Sequence, residues 1–187
     1  MIRSLELLPG YAAGMVRQRG ERVVALVGSA SFLVVAPGTV ALYVPWAMTR
    51  WRLPEPRPSF WIGGAVLVIV GSVGLLDSFR RFAVEGLGTP APIYPTRTLV
   101  ATGLYRHVRN PMYCGVLATI LGQALVFHSG EVFLYGLAVA IAFHLFVLLY
   151  EEPRLLATYG ESYEAFRRGV PRWIPRARPW RQESHRP

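Results

Sequence analysis

The sequence predicts an all-α fold: a polytopic integral membrane protein of about four to five transmembrane helices with a C-terminal amphipathic helical tail. Apolar residues make up 52% of the 187 positions, and they fall in long uncharged blocks, a distribution that the core of a soluble domain does not use. The basic residues, all of them arginine, gather between the blocks and unequally on the two sides they imply. The length suits a single membrane domain, 1–187, with a transmembrane pair at 23–81 and a second functional half at 95–175.

The first block, Val23 to Trp46, is a charge-free run of 24 residues, enough to cross a hydrocarbon layer roughly 30 Å thick. Pro37 and Gly38 inside it predict a kink or break, and Trp46 and Trp51 bracket its end as interfacial aromatics. Trp61 to Leu76 is the second, glycine-rich at 63, 64, 71 and 74, which permits close helix contact; Asp77, Arg80 and Arg81 close it. From Phe82 to Asn110 the chain turns polar, and Pro90, Pro92 and Pro95 forbid a continuous helix. Met112 to His128 and Val132 to Tyr150 then form an antiparallel hairpin joined by Ser129 to Glu131, with Gly115, Ala118 and Gly122 on one face for a tight contact. Pro153 predicts a kink or a new helix running to Tyr159 and stopping at Gly160, followed by a short helix over Glu161 to Arg168. Tyr159, Tyr163 and Phe166 share one face of this amphipathic tail.

Arginine counts set the orientation. The N-terminal segment, the 80–110 loop and the tail carry four, five and eight, against three at 47–60 and none at 129–131, which places both termini and the long loop in the cytoplasm. The N-terminal 22 residues lack the short apolar run and cleavage site of a removable signal peptide. A net charge of +9 fits a nucleic-acid binder, but arginines beside apolar blocks serve topology and anionic headgroups, so membrane lipids and no nucleic acid are the expected partners. The lone Cys114 excludes an intramolecular disulfide, and His128 and His144 are too isolated for a zinc site, so no metal is expected.

The long loop and the tail flank the same hairpin and therefore meet on one side of the membrane. The loop brings Gly103, Tyr105, Arg106, His107, Arg109, Asn110 and Tyr113; the tail brings Glu151, Glu152, Arg154, Tyr159, Tyr163 and Arg172. Adjacent carboxylates at a membrane helix end need partners, either Arg109 or Arg154 in an ion pair or a cationic or hydroxyl-bearing ligand. Asn110 and Pro111 read as a helix cap and first-turn proline, whose backbone amides also suit a ligand carboxylate.

Leu99-Val-Ala-Thr-Gly103-Leu-Tyr105, Arg109-Asn-Pro-Met-Tyr113, Glu151-Glu152, Tyr159-Gly160, Tyr163 and Val170-Pro171, in this order and spacing, resemble the isoprenylcysteine carboxyl methyltransferase and phospholipid methyltransferase superfamily of membrane enzymes. The resemblance implies S-adenosylmethionine as cofactor in a cytoplasm-facing pocket, held by Arg97, Thr98, Leu99, Val100, Gly103, Tyr105, Asn110, Pro111, Met112, Tyr113 and Glu151, and a lipid-like or small hydrophobic methyl acceptor. Two positions depart from the family pattern: Asn110 replaces a histidine, which removes a titratable group, and Val147 replaces the arginine of the prenylcysteine-specific enzymes, which points away from that acceptor. A carboxylate or thiolate acceptor needs no base, whereas an amine does, and His107 and Glu152 are then the candidates. The rival expectation is a non-enzymatic helical membrane scaffold or assembly subunit.

Overall fold

The structure, a computed structural model, describes residues 27–28, 30–55, 57–84 and 99–181, and these are helical with no strand. Helix α1 spans Ala30–Thr49, α2 Pro58–Val84, α3 Pro111–Val126 and α4 Gly130–Phe146, and α4 runs through a π-turn, Val147–Glu151, into α5, Glu152–Gly169. Among the described residues, three segments are long and apolar enough to cross a membrane: Ala30–Thr49, Pro58–Arg81 and Gly130–Gly169. The expected polytopic helical architecture is therefore present. Helix α3, at 16 residues, rises only about 24 Å, but nine of those residues are buried, so it forms the centre of the bundle and the others surround it.

Glycine decides how α2 and α3 meet. A Cβ on Gly64 would come within 2.6 Å of the Gly122 carbonyl oxygen, and one on Gly71 within 2.7 Å of the Gly115 oxygen, with the reverse contacts equally close. The paired positions run in opposite directions and lie seven residues apart on each helix, so two antiparallel backbones touch along one stripe. Gly122→Val is expected to cost about 3 kcal/mol, because a backbone carbonyl cannot turn aside as a side chain can. A detergent melting temperature equal to the wild type's would refute this contact. The opposite stripe of α2, Ile62, Val66, Ile69, Val73 and Leu76, is exposed and faces outward as a lipid-facing surface does. Helix α2 also passes the expected stop at Asp77: Arg80 and Arg81 pair with that carboxylate at 3.3 and 2.8 Å, which supports the extra turn.

Helix α1 is not broken at Pro37 and Gly38. It continues into a π-turn, Thr39–Tyr43, in which Val44 N–H reaches back to Thr39 O. Pro45 supplies the reason, since it has no N–H and its ring crowds the carbonyl one turn back. The carbonyls this leaves are taken by other helices: Gln123 Nε2 donates to Ala41 O at 2.6 Å, and Tyr135 Oη to Val40 O at 2.9 Å. This explains a buried glutamine in an apolar helix. Gln123→Leu is expected to destabilise the bundle by about 1–2 kcal/mol by orphaning a carbonyl in hydrocarbon. An unchanged thermal midpoint would remove Gln123 from this role.

The turn between α3 and α4 differs from the sequence expectation. Helix α3 stops at Val126, two residues early, in a Schellman motif: Ser129 N–H bonds Ala124 O, His128 N–H bonds Leu125 O, and His128 takes the left-handed position usual for glycine, at φ 48°. Ser129 Oγ then caps α4 by accepting from Val132 N–H. In α5 the backbone of Gly160 is non-helical (φ 52°), dividing the tail into the two pieces expected there.

Candidate active site

The second π-turn shapes the site. Core-facing positions of the fourth helix run Val132, Gly136, Val139, Phe143 and Val147; the extra residue in Val147–Glu151 then leaves Tyr150 outward and turns Glu151 and Glu152 inward. As in α1, the turn ends two residues before a proline, here Pro153.

The two glutamates differ completely in their partners. Glu152, 7% exposed, lies between two guanidiniums: Arg172 is bidentate, Nε to Oε1 at 2.7 Å and Nη2 to Oε2 at 2.9 Å, while Arg109 Nη1 lies 2.9 Å from Oε1. The hydrogen bond to Glu152 holds the Arg172 guanidinium above its ordinary pKa. The Arg109 contact is an ion pair by distance without hydrogen-bond alignment, and Arg109 Nε is buried with no hydrogen bond. Of the two arginines expected to meet the glutamates, Arg109 does so, whereas Arg154 instead donates to Tyr150 Oη and stacks on its ring. Glu151 has no cationic partner among the described residues; Tyr113 Oη donates to its Oε2 at 2.8 Å across the hairpin.

Around this pair the tail is laced to the loop by backbone bonds. Arg109 N–H donates to Pro171 O, Arg176 N–H to His107 O and Trp180 N–H to Arg106 O, with Arg106 Nε returning a bond to Trp180 O. The His107 ring Nδ1 is 2.8 Å from Arg176 O, so that ring helps to hold the tail. Asn110 does not cap α3 through its side chain; its Nδ2 donates to Arg172 O instead. Trp173 Nε1 donates to His144 Nδ1, and its ring and that of Phe143 both pack on Tyr113, the residue bonded to Glu151. Tyr159, Tyr163 and Phe166 pack against Val100, Tyr105, Val170 and Trp180, so the tail's apolar face covers the loop.

The predicted cofactor residues therefore separate. Tyr113 and Glu151 meet directly. Tyr105 is buried beside them, hydrogen-bonded to Ser78, and burial holds its phenol above the ordinary value. Gly103 has φ 50°, a left-handed conformation that favours glycine, and a Cβ there would also displace the Arg81 guanidinium. Val100 and Met112 spend their side chains in two hydrophobic clusters, Leu99 packs against the first of these, and Pro111 is buried at the start of α3. Arg97 and Thr98 lie outside the described residues. Sequence reasoning missed Trp173, Arg176 and Trp180; aromatic character signalled the two tryptophans, and nothing signalled Arg176.

Residues 60–162, more than half of the chain, match the phospholipid methyltransferase family. Protein-S-isoprenylcysteine O-methyltransferase of Schizosaccharomyces pombe is 37% identical over 78 residues, 41% of this chain, a stretch spanning only 33% of that protein. No solved structure matches. The motif order, the all-helical architecture and the extent of the match together make this chain a member of the phospholipid methyltransferase family.

Proposed function

We propose that the protein is a membrane methyltransferase that uses S-adenosylmethionine and acts on a lipid-like or small hydrophobic acceptor, with both termini and the site on the cytoplasmic side. The observation that carries this reading is Glu151: a carboxylate held by Tyr113 at the meeting of loop, hairpin and tail, with no described cation to neutralise it. The residues fit the zwitterionic amino-acid end of that cofactor. Glu151 is suited to its ammonium, and Arg109, whose buried Nε lacks a hydrogen bond, to its carboxylate. When bound, the cofactor supplies an electrophilic methyl group on a sulphonium.

The chain's own part is alignment and exclusion of water, because an in-line displacement needs neither a metal nor a covalent intermediate. Tyr113, Phe143 and Trp173 cluster where Tyr113 meets Glu151 and are suited to offer ring faces to a cationic centre. Glu152 is engaged by two arginines and His107 by the Arg176 carbonyl, so neither is free to act as a base without breaking a structural contact. That favours an acceptor arriving already as its nucleophilic form. The test is calorimetric titration of detergent-purified protein with S-adenosylmethionine and S-adenosylhomocysteine, followed by transfer of labelled methyl to extracted lipids. Binding of both with label in a lipid fraction is expected; folded protein that binds neither would overturn the proposal.

A further inference from the structure

At the end of the bundle opposite this site, a cavity of about 370 Å³ opens between the C-terminus of α1 and the α3–α4 turn, lined among others by Met48, Arg52, Phe127, His128, Ser129 and Glu131. Helix α3 separates it from Glu151 and Tyr113 by about 24 Å of rise, so it belongs to a different site. Neither Arg52 nor Glu131 makes an ion pair among the described residues, and His128 Nε2 is buried without a hydrogen-bond partner. His128 also occupies a left-handed position, at φ 48°, where glycine costs less, and its ring packs edge-on to Phe60 at 5.3 Å.

We propose that this cavity binds a phospholipid with a zwitterionic headgroup, its phosphate on Arg52 and His128 and its ammonium on Glu131. A guanidinium, an imidazole and a carboxylate within one cavity match a phosphate and an amine joined by a short linker. The flanks supply the apolar complement. Leu53, Phe60, Phe133 and Leu134 are exposed around the same end, and Trp46 and Trp51 sit there with Arg50 stacked 5.0 Å over the Trp46 ring, as side chains at a headgroup boundary do. A lipid held here joins α1, which is mostly unburied, to the central hairpin.

The experiment uses the delipidated full chain in detergent, titrated with dihexanoyl phosphatidylethanolamine, dihexanoyl phosphatidylglycerol and inorganic phosphate. Phosphatidylethanolamine is expected to bind most tightly. Arg52→Ala should weaken both lipids about tenfold or more, whereas Glu131→Gln should weaken phosphatidylethanolamine and leave phosphatidylglycerol unchanged. His128→Gly should weaken lipid binding while preserving or raising the melting temperature, which separates recognition from folding. Phosphate binding as tightly as the lipids, phosphatidylglycerol equalling phosphatidylethanolamine, or indifference to all three substitutions would each overturn the proposal. Binding that survives Glu151→Gln is expected; its loss would assign the lipid to the candidate active site instead and refute this one.

Discussion

Glu151→Gln is expected to lower the affinity for S-adenosylmethionine by about a hundredfold while leaving the protein folded. The substitution keeps size and hydrogen-bonding capacity but removes the only carboxylate of the site that no described cation offsets, and a charge-assisted bond to an ammonium in a partly desolvated site contributes more than a neutral one. Tyr113→Phe removes the hydroxyl that orients that carboxylate and should cost less, about three- to tenfold. Calorimetry alongside a melting curve decides: wild-type affinity in a well-folded Glu151→Gln protein refutes the site assignment, since Tyr113 and Glu151 have no other described polar role.

The neighbouring residue should behave in the opposite way. Glu152→Ala is expected to destabilise the protein by about 3–5 kcal/mol, because it leaves Arg109, whose side chain is only 10% exposed, and Arg172 facing each other without a counter-charge. Since Arg172 also offers its carbonyl to Asn110, the tail should detach from the loop. The readout is a lowered melting temperature with faster proteolysis of the tail. Stability equal to the wild type's would mean that the clamp contributes nothing net, as some surface ion pairs do. Adjacent glutamates with separate phenotypes, one in ligand affinity and one in stability, are the sharpest consequence of the π-turn that aims them both inward.

That separation was not legible in the sequence. Glu151-Glu152 reads as a pair needing partners, and Arg109 was a correct candidate partner, but assigning one glutamate to the clamp and the other to Tyr113 depends on the added residue in Val147–Glu151. A π-turn leaves no mark in hydrophobic periodicity beyond a one-residue slip. The two prolines are the signal, since Pro45 and Pro153 each follow a π-turn at the same spacing, whereas Pro37, the expected break, is accommodated by the helix.

The sequence by itself determined the helical membrane architecture, the small-residue faces of α2 and α3 that permit close helix contact, the division of the tail at Gly160, and the family to which the ordered motifs point. These are local properties: block length, residue size and backbone permission act within a few turns of chain. The tertiary structure alone decided that Gln123 and Tyr135 satisfy carbonyls of α1, that Asn110 binds the tail and does not cap its helix, that His107 holds a backbone carbonyl, and that Trp173 reaches His144. Each joins groups far apart in the chain, and the physical reason is common to them: an unpaired polar group in an apolar bundle takes whichever partner packing brings near, a choice that no local pattern encodes.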